Sequence, residues 1–177
     1  MSAEPLTVIG IDPGSQCLGW GVVSDSSGML SLVDCGTVRP KGETFSARLG
    51  ALFTAISEIL ARHRPQEAAV ENVFTHKNIL SALKLGQARG VAVAACAAHG
   101  IPVSDYEPTQ VKKTLVGVGR AEKTQVSYMV SHMLGQKQPT WVLDTSDALA
   151  CAICHLNMRR MRRLIGQQAS PKDMKRL

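Results

Sequence analysis

The sequence predicts an α/β fold: one mixed sheet of five strands, three antiparallel and then two parallel, with helices on both faces. Three observations carry this. Short strand-like runs separated by Gly/Ser/Asp turns open the chain, and an amphipathic helix of clear 3.6-residue period follows. From there short apolar runs alternate with helical stretches, the pattern of parallel strands joined by crossovers.

The chain is organised around Val8-Ile9-Gly10-Ile11-Asp12-Pro13-Gly14-Ser15. A β-branched run ending in an acid and then Pro-Gly reads as a central strand buried on both faces, whose last residue, Asp12, emerges at the turn. A carboxylate there needs a cation, a donor or water to meet it. The alternative is a solvated turn Asp held by its own backbone amides. Leu18 to Ser24 and Met29 to Val38 complete an antiparallel meander through turns such as Asp25-Ser26-Ser27-Gly28. Gly19 and Gly21 flank Trp20 and leave room for close packing on that face.

Thr44 or Ser46 then caps a helix whose stripe is Leu49, Leu52, Phe53, Ile56, Ile59 and Leu60, closed by Pro65. Glu67 to Val70 is a short apolar strand ending in Glu71, and a strand, helix and strand unit places it parallel to the first. Asp12 and Glu71 then both leave carboxyl ends of strands, where open α/β sheets put their chemistry. In the loop that follows, Phe74 is either a small packing contact under the loop or a ring offered to a nucleic-acid base, a stack worth about 1 to 3 kcal/mol.

A long helix is expected from Ile79 to Ala98, with small residues every fourth position at Ala82, Gly86, Gly90, Ala94 and Ala98. Either the chain's own sheet or a second subunit approaches that face closely, and part of it is expected to be a dimer face. Ile101 to Asp105 is the fifth strand. Pro108-Thr109-Gln110 starts a helix bearing Lys112 and Lys113, and Gly117-Val118-Gly119-Arg120 leads into another at Ala121-Glu122-Lys123. Glycines beside Arg120 and Lys123 suit backbone amides and cations brought to phosphates, although the spacing matches neither a P-loop nor a dinucleotide fingerprint. In the last helix, Asp144-Thr145-Ser146-Asp147 precedes the apolar run Ala148 to Ile153. The two acids lie three apart at the positive end of the dipole, Asp144 as the cap or both as ligands. With Asp12 and Glu71 they would bring four carboxylates to one crevice, and an oxygen-only set argues for Mg²⁺, or Mn²⁺, rather than zinc.

Length, charge and cysteines agree with such a site. A chain of 177 residues fits one core. The net charge of +6 sits in the tail, where seven Lys/Arg face the single acid Asp173 from Arg159 onward, so the division expected is 1–158 as the folded domain and 159–177 as basic tail. Residues 1–71 carry five bases and eight acids, and residues 77–123 seven bases and three acids. An acidic zone beside a basic one suits a metal-dependent enzyme acting on a polyanion, or else is an ordinary mixed surface. No basic stretch precedes an apolar one at the N-terminus and no apolar run is read as approaching the roughly 18 residues of a membrane span, so a cytoplasmic protein without membrane contact is expected. The five cysteines read as buried thiols. Cys151-Ala152-Ile153-Cys154-His155 matches a haem-attachment spacing but sits inside a helix, so no haem is expected.

Five ordered segments, G-I-D-P-G-S (10–15), A-V-E-N-V-F (69–74), S-A-L-K-L-G-Q-A-R-G-V-A (81–92), Q-V-K-K-T-L-V-G-V-G-R-A-E-K-T-Q (110–125) and D-T-S-D-A-L-A (144–150), closely resemble the RuvC family, bacterial crossover-junction endodeoxyribonucleases, over Leu6 to His155. Thr145-Ser146 departs from the pair of alanines common in the family. The resemblance implies a ribonuclease H-like fold and a homodimer that makes paired nicks in four-way junction DNA by two-metal hydrolysis, working with the branch-migration complex RuvA and RuvB. It implies Asp12, Glu71, Asp144 and Asp147 as metal ligands, Phe74 as the stacking ring, and Lys112 and Lys123 at the scissile phosphate. Lys77, Lys113 and Arg120 join them as candidate DNA contacts. Actin-like ATPases share the opening hairpin but need a second domain, and a non-catalytic junction-binding module would not need four acids.

Overall fold

The computed structural model describes residues 4–72, 78–137, 139 and 141–168, with side chains to 165. The elements in order are β1 (Leu6–Asp12), β2 (Leu18–Ser26), β3 (Met29–Val38), α1 (Phe45–His63), β4 (Glu67–Glu71), α2 (Ile79–Ala98), β5 (Val103–Tyr106), α3 (Pro108–Val116), α4 (Lys123–Met133) and α5 (Leu143–Gln168). The sheet order is β3-β2-β1-β4-β5, with β1, β2 and β3 antiparallel and β4 and β5 parallel to β1. This is the predicted mixed sheet.

β1 lies at its centre because its apolar residues bury on both faces. Ile9 and Ile11, with Ala68 and Val70 of β4, point toward α1 and α2, where Leu52, Ile56, Leu60, Ala88, Ala92 and Cys96 complete one core. Val8 and Ala69 point the other way, into a second core with α3, α4 and α5. Thr44 caps α1, its hydroxyl accepting from the Ala47 amide at 3.1 Å. The helix ends on Arg64 in the left-handed region, φ 45°, just before Pro65.

The structure departs from the sequence reading in several places. The fifth strand starts at Val103, two residues late, and ends at Tyr106. Asp144 is not the cap of α5: the Val142 carbonyl already accepts from the Ser146 amide at 3.1 Å, so Asp144 stands inside the first turn. Independently of the expected division at residue 158, α5 continues to Gln168, and Arg159 Nε reaches Glu67 Oε1 at 2.9 Å.

α2 also corrects the expectation that no segment could span a bilayer, because its 20 residues are long and apolar enough by length and composition. That apolarity comes largely from Ala and Gly, with Lys84 and Arg89 on the same helix. One face, Ala88, Ala92, Ala95 and Cys96, is packed into the first core. The small-residue stripe is on the other side: a methyl built at Gly86 or Gly90 would meet nothing within 4 Å among the described residues.

Candidate active site

Strand parity decides which side chains share the crevice. Since Ile9 and Ile11 face α1 and α2, Val8, Gly10 and Asp12 face α5; by the same alternation Glu67, Ala69 and Glu71 face α5 from β4. Ile11 pairs with Val70 in the parallel ladder, so Asp12 and Glu71 follow as neighbours on strands about 4.8 Å apart.

α5 brings the other two acids over this point. Gly19 is the register partner of Asp12, and a methyl at Gly19 would overlap the Asp144 carbonyl. One at Gly10 would overlap the Ala148 carbonyl. The helix backbone therefore lies directly on β1 and β2, which carries Asp144 and Asp147 to the end of β1. The Thr145 hydroxyl fixes the same turn from the other side, donating to the Gly36 carbonyl of β3 at 3.1 Å.

The electrostatics are those of one cluster. Burial first, and then the charges of Asp147 and Asp144, push the Asp12 carboxyl up to about 6, against the pull of a hydrogen bond with Glu71 and the charge of Lys123. Glu71 is pushed to about 8 by burial and by Asp12. Near neutral pH the pair retains a proton that isolated carboxyls would have lost. Lys123, at the start of α4, donates from Nζ to Asp147 Oδ2 at 2.6 Å. That bond, followed by the charges of Asp147, Asp12 and Glu71, raises the affinity of its amine for the proton. Cys17 adjoins the cluster, its thiol pushed up by burial and by a hydrogen bond with Asp144.

Among the described residues, no three Asp, Glu, His or Cys side chains stand close enough to ligate one ion in their present rotamers. Asp147 is turned to Lys123 instead. The donor set still fits a hard divalent cation: four carboxylates and no imidazole, of which the Asp12–Glu71 pair holds one proton through burial and mutual repulsion. A cation between them would replace that proton.

The DNA-contact candidates fall in different places. Phe74 and Lys77 lie outside the described residues. Lys123 is in the cluster. Lys113 is not: it lines a groove of about 650 Å³ with Asn157, Met158, Met161 and Leu164, and Asn157 is ten residues along α5 from Asp147, about 15 Å away. Lys112 is half-buried on α3, and Arg120 is exposed in the turn before α4.

Sequence reasoning missed His155, which it had set aside with the haem spacing. His155 is buried, with Nε2 2.6 Å from Glu67 Oε2 and Nδ1 2.9 Å from the Tyr106 hydroxyl. Since the carboxylate only accepts, Nε2–H donates to it, and in the neutral imidazole Nδ1 then accepts the phenol proton. This network ties α5 to β4 and β5 below the crevice. The signal was available as Glu67, four residues before Glu71 on the same face.

Comparison with known proteins follows the same lines. Residues 8–155 match the family model described as crossover junction endodeoxyribonuclease RuvC. The proteins of that name from Oleidesulfovibrio alaskensis and Nitratidesulfovibrio vulgaris are 65% and 63% identical over 164 residues, which cover 93% of this chain and 98% of each relative. Among solved structures, Thermus thermophilus RuvC in complex with Holliday junction substrate superposes with a TM-score of 0.83 at 37% identity, covering 88% of this chain and 96% of that one. The yeast mitochondrial Holliday junction resolvase Ydc2 shares the fold at 10% identity, with a TM-score of 0.66 over 92% of this chain and 86% of its own.

Proposed function

The chain belongs to the RuvC family of crossover junction endodeoxyribonucleases, and on that premise we propose that it is a Holliday junction resolvase, nicking four-way DNA symmetrically in recombination and repair. The observation that carries the reading is the gathering of Asp12 and Glu71 on adjacent strand ends under the first turns of α5, with Lys123 among the carboxylates.

In this reading Asp12, Glu71, Asp144 and Asp147 hold divalent cations, two per site, Mg²⁺ with Mn²⁺ as the alternative. Bound there, such ions supply a water of lowered pKa and stabilise the leaving 3′ oxygen. The chain's own groups prepare the site. Asp12 and Glu71 would release their shared proton to solvent in holding a cation, and Lys123, beside Asp147, would present its ammonium to the incoming phosphate. Phe74 offers a stacking surface to an unpaired base, and Lys77, Lys112, Lys113 and Arg120 neutralise backbone phosphates.

A four-way junction presents two symmetry-related strands, which an isologous dimer matches with two sites. The outward stripe of α2, with exposed Ile79, Leu80 and Leu83 at its start, supports that pairing. The family likeness supports RuvA and RuvB as working partners and the cytoplasm as the compartment. A Mg²⁺ titration with a labelled synthetic junction is the test. Paired nicks with ligatable 5′ phosphates, absent in chelator, are expected, and binding with no nicking at any Mg²⁺ or Mn²⁺ concentration overturns the reading.

A further inference from the structure

Where β4 ends, the Asn72 amide donates to the Tyr106 carbonyl at 2.8 Å, carrying the ladder to β5 one residue past Glu71. The Asn72 side chain then reaches across the same gap. Its Nδ2 donates to Glu107 Oε1 at 2.8 Å, and because a carboxylate only accepts, the partner fixes which way the amide points. Glu107 occupies the N-cap position of α3, where an acidic side chain ordinarily turns back on the first-turn amides. It makes no such bond, and its carboxylate is committed to Asn72 instead. The two residues thus link the position after Glu71 to the first turn of α3, the helix that carries Lys112 and buries Val111 and Leu115 under α5.

We propose that Asn72 and Glu107 form a clasp that holds Glu71 in register with the rest of the carboxylate crevice, so that Asn72 is a positioning residue for nicking. The proposal rests on the nuclease reading above. Its logic is local: β5 holds the Glu71 backbone, Asn72 is the first residue after β4, and the last ladder bond, from the Asn72 amide, would otherwise be free to fray. A half-buried, charge-accepting hydrogen bond at that point removes the freedom. A ligand displaced by 1 Å costs far more in cation binding and rate than in stability.

Three variants test it, Glu107→Ala, Asn72→Asp and the exchange Asn72→Asp/Glu107→Gln, in which the amide and carboxylate trade places. The first readout needs no turnover: Mn²⁺ binding to the DNA-free protein by isothermal titration, beside its melting temperature. Glu107→Ala is expected to weaken Mn²⁺ binding about fivefold and to raise the Mg²⁺ needed for half-maximal nicking by a similar factor. Junction affinity in chelator should stay within twofold. Asn72→Asp, which sets two carboxylates face to face, is expected to lose more, and the exchange to recover to within twofold of wild type. The clasp is overturned if Glu107→Ala binds Mn²⁺ and nicks like wild type, or if the exchange is no better than Asn72→Asp alone. Either result leaves the nuclease reading intact as long as the wild-type chain nicks junctions, so the two fail separately.

Discussion

Lys123 and Asp147, 24 residues apart in sequence, are joined by a 2.6 Å hydrogen bond from Nζ to Oδ2. The lysine end is the more exposed and the aspartate end is largely buried. The bond makes Lys123 an internal counter-ion for a group of acids that repel one another, and its charge lowers the proton affinity of both Asp12 and Glu71.

Replacing Lys123 with methionine keeps the stem and removes the charge. Asp12 and Glu71 then hold their protons to higher pH, so the rising limb of the pH profile for nicking should move upward by about one unit, with at least a tenfold loss of rate at neutral pH. Rate against pH for wild type and Lys123→Met, at sub-saturating Mg²⁺ where ion and proton compete for the carboxylates, measures it. An unmoved limb means that Lys123 does not act on the carboxylates.

The same acids set a pH dependence of stability in the metal-free protein. Their folded pKa values are raised, Asp12 to about 6 and Glu71 to about 8. The native state therefore holds more protons than the unfolded chain between about pH 4 and 8, and stability falls as pH rises through that window. Thermal melts in chelator should show a falling melting temperature over this range. Asp12→Asn should flatten the slope, raise the melting temperature at pH 8 by about 2 to 4 °C, which corresponds to roughly 1 kcal/mol, and abolish nicking with junction binding retained. A melting temperature that climbs from pH 5 to 8 contradicts the assignment.

Gly10→Ala places a methyl against main chain, the Ala148 carbonyl and the Ala152 amide, and neither can rotate away. The variant should lose about 3 kcal/mol or more, read from urea unfolding. Gly86→Ala, on the open stripe of α2, should stabilise the helix itself by up to about 1 kcal/mol. It should also weaken any dimer that needs close approach there, which sedimentation at low concentration detects.

His155→Phe preserves bulk but strands the Tyr106 hydroxyl and one oxygen of Glu67. The buried Tyr106 hydroxyl left unpaired costs about 1 to 3 kcal/mol, and Glu67, partly exposed and still paired with Arg159, adds to that. Tyr106→Phe removes only one partner and should cost about 1 kcal/mol. If the two variants unfold at the same urea concentration, the histidine is not the hub of the network.

The crevice was legible because its acids sit at positions with strong local signals: Asp12 after a β-branched run, Glu71 after an apolar one, and Asp144 and Asp147 before a helix. Strand-end logic then brings the first two together without knowledge of side-chain detail. Gly19 and Gly21 also announced a close approach, although not by which helix. What the sequence left open depends on packing across long separations. Gly10 is one more residue of a β-branched run until α5 is laid on it. Thr145 reads as a departure from a family pattern until it meets the Gly36 carbonyl. His155 reads as the end of a chance cysteine spacing until Glu67 is found beneath it. Lys113 and Lys112 are adjacent in sequence, yet Lys113 turns to the groove beside the second half of α5.

The bare contact of α5 with β1 and β2 has one more implication. Since main chain rests on main chain at Gly10 and Gly19, the separation between the backbone that carries the helix acids and the backbone that carries the strand acid is set with no intervening side chain. Methyl groups elsewhere in either core can be exchanged, for heat or for cold, without retuning that separation. The hydrophobic interior of such a molecule is free to drift while its chemistry keeps its gauge.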